Sequence, residues 1–185
     1  MAANWFIAWP ASPLAGFEAL FEGAPEGIRR FHPADLHLTV AFLGPVGEAR
    51  ALAAWEVACA APASPVTIRL GPLEPFGPRR HPSAYAFEVQ TGRRALVEWM
   101  RRHQAAIVDA AGAPPAIHEP RPHLTIARPP RQADASVRAR IEAWARQVRP
   151  PAEPMVLDRI ALYTWAADRS VRLFQEMRSR DLRAG

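Results

Sequence analysis

HLTVAF at residues 37–42 and HLTIAR at residues 123–128 are the two stretches on which the reading of this chain turns. They match in type at five positions, and each stands in an apolar, β-favouring context. Side chains on a strand alternate between faces. His37 and Thr39, like His123 and Thr125, therefore share one face, while Leu38 and Val40, and Leu124 and Ile126, point into a core. With 6 His and 5 Thr in 185 residues, of which 49% are hydrophobic, the pattern H-x-T-hydrophobic is expected about 0.08 times by chance. Two copies are not expected by accident; a duplicated fold could repeat them for packing alone, and if the halves are related by a pseudo-twofold the two motifs face each other across a groove. The sixth position differs, Phe42 in one copy and Arg128 in the other. Arg128 stands five residues from His123, so an unbroken strand turns it away from the histidine. It joins that face only if the strand ends or twists after Ala127, which Pro129 and Pro130 allow. Phe42 suits either stacking on a base or packing in the core.

Outward from the repeats, helices are expected at four places. In the stretch 12–23, Ser12 can cap, Pro13 suits the first turn, Leu14, Phe17 and Phe21 share a face, and Gly23 is a stop. Residues 47–62 place Leu52, Trp55 and Cys59 at helical spacing, with Cys59 read as core. Arg93 to Ala111 aligns Leu96, Met100, His103, Ile107 and Ala110. Asp134 can open a fourth helix with Val137, Ile141, Trp144 and Val148 on one side. Strands are expected at Trp5–Trp9, Leu36–Leu43, Val66–Leu70, Tyr85–Val89, Leu124–Ala127, Val156–Tyr163 and Val171–Met177. Residues 71–83 and 112–122, rich in Pro and Gly, read as loops, and no stretch marks a linker between domains. The expectation is an α+β fold over residues 1–185, one domain with helices outside its sheets.

All 23 basic residues are arginine. Without lysine there is no Walker A loop, no Schiff-base pyridoxal enzyme and no self-adenylating ligase. The net charge of +5 suits a polyanionic partner, although an Ala-, Arg- and Pro-rich composition also follows from genomic base composition. The single cysteine excludes an internal disulfide and a CxxC metal or redox pair. No apolar run is long enough to span a membrane, and the start of the chain carries no basic leader, so a soluble cytoplasmic protein is expected.

Two imidazoles and two hydroxyls facing each other, with no carboxylate cluster, suit phosphate ester chemistry. One imidazole takes a proton from an attacking oxygen, the other gives one to the leaving oxygen, and hydroxyls hold the non-bridging oxygens. Arg128 adds a permanent cation. Other readings fail on spacing. HEPRPH at 118–123 sets its histidines five apart with two prolines between them, which excludes the HExxH helix. Neither GxSxG nor HxHxH occurs. His32, His81 and His118 fall in loops and His103 on a helix, as solvated or satisfied histidines. Arg79 and Arg80, and Arg121 beside the second motif, are candidate contacts to an RNA backbone, with a solvated loop as the plainer account of the first two.

The segments LHLTVAFLG at 36–44 and PHLTIAR at 122–128 resemble the two signature motifs of the two-histidine (2H) phosphoesterase superfamily. They are most similar to its bacterial RNA 2′,3′-cyclic phosphodiesterase branch, also called 2′-5′ RNA ligase. A looser likeness runs from WFIAW at 5–9 to IALYTW at 160–165 and RLFQEMRSRDL at 172–182. The resemblance implies a bilobal, pseudo-twofold α+β fold whose two antiparallel sheets line a central groove, with one HxT motif from each lobe. It implies no metal and no cofactor. His37 and His123 would be the acid–base pair, His123 activating water and His37 protonating the departing 3′ oxygen. Thr39 and Thr125 would donate to phosphate, Arg128 would be the basic residue after the second motif, and Phe42 the aromatic on the nucleobase. The implied partner is RNA ending in a 2′,3′-cyclic phosphate, tRNA fragments included, opened to a 2′-phosphate by a monomer. The reverse reaction would be 2′-5′ joining without ATP. A small cyclic nucleotide or ADP-ribose cyclic phosphate is the alternative substrate, and an RNA-binding module without turnover the alternative function. Residues 71–83 have no counterpart in the resemblance.

Overall fold

The computed structural model describes residues 3–11, 13–78 and 81–182. Nine strands and three α-helices follow one another as β1 (Trp5–Pro10), β2 (Arg29–Arg30), β3 (His37–Gly44), α1 (Glu48–Ala60), β4 (Val66–Phe76), β5 (Ala84–Thr91), α2 (Arg93–Ala110), β6 (His123–Arg128), α3 (Ala135–Gln147), β7 (Met155–Leu157), β8 (Arg159–Trp165) and β9 (Phe174–Asp181). The strands form two sheets, ordered β3-β1-β8-β9 and β2-β6-β5-β4-β7, antiparallel throughout. Each repeat is a strand of a different sheet. The expected architecture of two antiparallel sheets with helices is what the chain adopts.

The alternation within β1 shows how the sheets share their faces. Ile7 and Trp9 enter the main core, which runs through both sheets and includes Leu38, Val40, Phe87, Leu124, Ile126 and Leu162. Phe6 and Ala8 point the other way and pack with Ala161 and Tyr163, with Phe174 against them. That second face becomes the wall of the groove. α1 and α2 pack on each other, and α3 lies against β4. Asp134 caps α3, its carboxylate accepting from the Val137 amide at 2.8 Å, as expected. Gly92, between β5 and α2, has φ +79°, and a Cβ there would sit 2.6 Å from the Thr67 carbonyl oxygen, so only glycine allows this turn.

Several expectations are corrected. No α-helix forms within 12–23. Ser12 lies outside the described residues, and only a 3₁₀ turn at Glu18–Phe21 appears, because Gly16 adopts φ +69° and interrupts the run. Leu14, Phe17 and Phe21 are buried all the same. The buried face of α1 is Ala51, Ala54, Trp55 and Ala58; Leu52 and Cys59 are only partly buried at its margin. In α2 the buried side is Leu96, Met100, Ile107 and Val108, whereas His103 lies beside Trp99 with ring centroids 4.9 Å apart. β4 continues to Phe76 through Pro72 and Pro75. It can do so because β7 pairs only Val66 to Ile68, and the rest of β4 is a free edge that needs no amide donors there. The expected strand 156–163 breaks at Asp158, where the chain leaves one sheet for the other. β9 starts at Phe174, three residues later than expected, and the two-residue β2 carried no sequence signal.

Candidate active site

β3 and β6 bring His37, Thr39, His123 and Thr125 to a single pocket of about 370 Å³, with Phe42 and Arg128 on its lining. The arrival of Phe42 and Arg128 there has a specific cause. Tyr85 pairs with Ala127 but Ala86 with Thr125, so β6 holds one residue more than its partner strand at Ile126. In β3, Ile7 pairs with Ala41 and Ala8 with Thr39, which places the extra residue at Val40. Each is a β-bulge that shifts the alternation by one. Val40 and Ala41, and Ile126 and Ala127, are all buried, and the next side chain returns to the face of the histidine. β6 does not end after Ala127 but runs to Arg128, and of the two conditions drawn from parity it is a local twist, brought by the bulge at Ile126, that returns Arg128 to the histidine face.

The two histidines are held alike. The Nδ1 of His37 lies 2.7 Å from the Asp35 carbonyl oxygen, and the Nδ1 of His123 lies 2.7 Å from that of Arg121. A carbonyl only accepts, so Nδ1 carries the proton in both and Nε2 is the nitrogen left for a substrate. Their surroundings differ. His37 is walled by Phe6 at 4.7 Å, Phe174 at 5.4 Å and Tyr163 at 5.8 Å between ring centroids. Burial against these rings pushes its pKa down from 6.5 to about 4, outweighing the Asp35 carbonyl that pulls it up. His123 stacks on Phe76 at 4.2 Å, and the Arg121 guanidinium covers the other part of that ring at 4.2 Å. Burial holds His123 below its ordinary value too, with the Arg121 charge adding to the effect.

Among the described residues, Asp35 is the one fully buried carboxylate, 1% exposed. Its side chain accepts from the amides of Leu173 at 2.6 Å and Phe174 at 3.2 Å, and the Arg172 Nε lies 3.5 Å away. One residue thus anchors the start of β9, which carries the Phe174 wall, and offers the carbonyl that orients His37. Sequence reasoning missed it, although a charged residue next to the apolar Leu36 and two before the histidine was a signal. Also missed were the aromatics Phe6, Phe31, Phe76 and Phe174 and the pair Trp165 and Arg169, the guanidinium 4.3 Å over the indole. A strand of alternating large apolar residues does not reveal which face meets a groove.

Among the described residues, the hydroxyls of Thr39 and Thr125 and the Arg128 guanidinium have no hydrogen-bond partner, so all three are free to donate to an anion. Arg128 rests over Phe31 at 5.4 Å. Phe42 is 58% exposed and is not a core residue. Arg121 is committed elsewhere: its Nε donates to Glu88 at 2.7 Å, and its side chain does not line the pocket. Arg79 and Arg80 lie outside the described residues. No three His, Cys, Asp or Glu side chains stand together as a metal site among the described residues, and no described helix is long and apolar enough to cross a membrane. A larger cavity, about 750 Å³ between β4 and α3, has no histidine in its lining. The convergence of the two repeats, rather than volume, locates the site.

The family model of the 2′-5′ RNA ligase superfamily matches residues 16–169. The RNA 2′,3′-cyclic phosphodiesterase of Bacillus subtilis (strain 168) is 30% identical over 99 residues, 52% of this chain and 53% of that relative, so the chain spans about half the length of the curated relative it matches. E. coli LigT complexed with 3′-AMP is similar in fold with a TM-score of 0.72 at 18% identity, over 98% of this chain and 99% of that one. TT0787 of Thermus thermophilus has a TM-score of 0.69 at 20% identity, over 97% of both chains. The family match at 16–169 and the likeness of fold both take in β3, β6 and the groove between them, and the chain belongs to the 2′-5′ RNA ligase superfamily, within the 2H phosphoesterases.

Proposed function

We propose that this protein hydrolyses the 2′,3′-cyclic phosphate at an RNA end to a 2′-phosphomonoester, and that the same site, with a 5′-hydroxyl attacking phosphorus in place of water, joins that end by a 2′-5′ bond without ATP. The observation that carries the reading is the pair of imidazoles, each fixed through Nδ1 and free at Nε2, facing one pocket with two unpartnered threonine hydroxyls and Arg128. Neutral His123 takes a proton from water through Nε2 as the water oxygen attacks phosphorus. The bond from phosphorus to the 3′ oxygen breaks on the opposite side, and protonated His37 delivers its Nε2 proton to that oxygen. Thr39, Thr125 and Arg128 hold the non-bridging oxygens, whose charge persists through the transition state. The aromatic wall that lowers the pKa of His37 makes its imidazolium, once formed against the phosphate anion, a strong proton donor. Phe42 supplies an exposed ring for the nucleobase.

The test is hydrolysis of a short RNA with a 2′,3′-cyclic phosphate end in excess EDTA, with the product's phosphate position determined. His37→Ala and His123→Ala should each lose about a hundredfold or more in rate, and EDTA should change nothing. Sulfur in place of the 3′ leaving oxygen needs no proton, so this substrate should largely rescue His37→Ala and leave His123→Ala impaired. Rescue of His123→Ala instead would exchange the two roles. Tight RNA binding with no turnover in any of the proteins would refute the hydrolase and make the groove a binding module. A pocket of about 370 Å³ also falls within the range of small-ligand sites, which favours a small cyclic nucleotide or ADP-ribose cyclic phosphate as the second reading. Its mark would be equal rates on cyclic mononucleotides and on longer RNA.

A further inference from the structure

Beside the reaction pocket lies a second cleft of about 310 Å³, and the two share Arg128 and Ser83. Arg29, Arg131, Arg138 and His81 line it with Arg128, and no carboxylate does. None of these four arginines has an acidic partner within ion-pair distance among the described residues. Asp134, three residues from Arg131, is turned to the Val137 amide as the cap of α3. The cleft is partly built in advance. The Arg29 Nε donates to the Pro129 carbonyl at 3.1 Å, and an Arg138 Nη1 lies 3.0 Å from the His81 Nδ1. A guanidinium only donates, so Nδ1 accepts there and the proton of neutral His81 sits on Nε2. The arginines cost one another energy in this arrangement: Arg128 is held below its ordinary value by burial, then by the charges of Arg29 and Arg169. Uncompensated guanidiniums around a concave surface form an anion site.

We infer that this cleft binds the phosphate attached to the 5′ oxygen of the terminal nucleoside, and so selects an RNA end over a cyclic mononucleotide. The inference rests on the proposed phosphodiesterase reading and deepens it. Arg128 stands at the boundary between the two sites, with the reacting phosphate on one side and the next phosphate of the chain on the other. A nucleoside 2′,3′-cyclic phosphate carries nothing to fill the second cleft, whereas any longer chain does. A 5′-phosphorylated cyclic mononucleotide presents the same chemistry without a chain.

The experiment compares kcat/KM for a nucleoside 2′,3′-cyclic phosphate, its 5′-phosphorylated form and a dinucleotide with the same cyclic end. Wild type is measured beside the double variant Arg131→Gln/Arg138→Gln, whose residues lie outside the reaction pocket. The expected result is a gain of about tenfold or more for the two substrates with the extra phosphate, lost in the double variant, with the nucleoside cyclic phosphate unchanged within about twofold. Equal gains assign the cleft to the phosphate alone, and a gain confined to the dinucleotide assigns it to the chain. No gain, or a gain that survives the double substitution, overturns the inference while leaving the hydrolase in place. Binding decides the case if no substrate turns over. The Kd of a fluorescent tetranucleotide with a 2′-phosphate end should rise about tenfold or more in the double variant, with a shallower salt dependence, and an unchanged Kd refutes the cleft whatever the fate of the hydrolase.

Discussion

Acid should destabilise this protein through His37 in a measurable way. The folded state holds the imidazole near pKa 4 and the unfolded chain returns it to about 6.5, a gap equivalent to about 3 kcal/mol. The folded value is the lower one, so between these two values the unfolded state binds more protons. The stability that the neutral ring contributes is complete above about pH 6.5 and is lost as the pH falls toward 4. From pH 7 to pH 4.5 the linkage amounts to about 2 kcal/mol from this residue alone, or roughly 4–8 °C in Tm for a domain of this size. His123 shifts in the same direction and adds to the loss. Urea unfolding followed by tryptophan fluorescence at pH 7 and pH 4.5, for wild type and His37→Gln, isolates the His37 part, because every other titrating group is common to both. Wild type should lose about 2 kcal/mol more than the variant. Histidine ring NMR should place the His37 midpoint well below 6.5. Equal losses in the two proteins, or a His37 midpoint at or above 6.5, would show that the rings of Phe6, Phe174 and Tyr163 do not desolvate it.

Replacing Asp35 by Ala leaves the Leu173 and Phe174 amides without their buried acceptor and Arg172 without its ion-pair partner, a loss of about 2–5 kcal/mol. Asp35→Asn should restore part of it, since one amide keeps its acceptor. Asp35→Asn keeps the backbone carbonyl that His37 meets but removes the carboxylate charge that favours its imidazolium, so the His37 midpoint in NMR should fall further, and an unmoved midpoint would confine Asp35 to stability. Gly92→Ala forces a left-handed φ on a residue with a side chain and drives its Cβ against the Thr67 carbonyl, so thermal unfolding should show a loss of about 2 kcal/mol or more. A change within about 0.5 kcal/mol would mean that the β5 to α2 turn relaxes freely.

Periodicity made the sheet-forming strands and three of the four expected helices legible, because each buries a face whose spacing is written in apolar residues. It failed where a special backbone state or a partner decides the structure. Gly16 breaks the turn at 12–23 despite a helical pattern of Leu14, Phe17 and Phe21. Asp158 divides the expected strand 156–163 between two sheets, and alternation cannot say which sheet a strand joins. Pro72 and Pro75 read as loop until the short β7 leaves that part of β4 as an edge. In the candidate site, the repeats named the histidines and threonines because a recurrent polar pair on an apolar strand has few other uses. The aromatics around them stayed hidden: Phe6 and Phe174 are indistinguishable from core by residue type, and only the fold turns them to the groove.

The bulges explain how twin strands make an unlike pair of subsites. Without an extra residue at Val40 and Ile126, strict alternation would bury the sixth position of each repeat with Leu38 and Leu124. With it, both sixth positions rejoin the histidine face, and there the copies differ, an exposed ring at Phe42 and a guanidinium at Arg128. The histidines and threonines are shared by both lobes and give the groove its approximate symmetry. A phosphodiester bearing a base on one side and a continuing anionic chain on the other is not symmetric, so the sixth positions must set its direction. On the proposed reading the ring of Phe42 would take the base, and Arg128, which lines both the pocket and the cleft of Arg29, Arg131 and Arg138, would lead toward the chain. The orientation assigned to the substrate therefore depends on two single-residue insertions in register. Deleting either should cost the groove that directing residue before it costs the fold, since Val40 and Ile126 each have a buried alanine beside them.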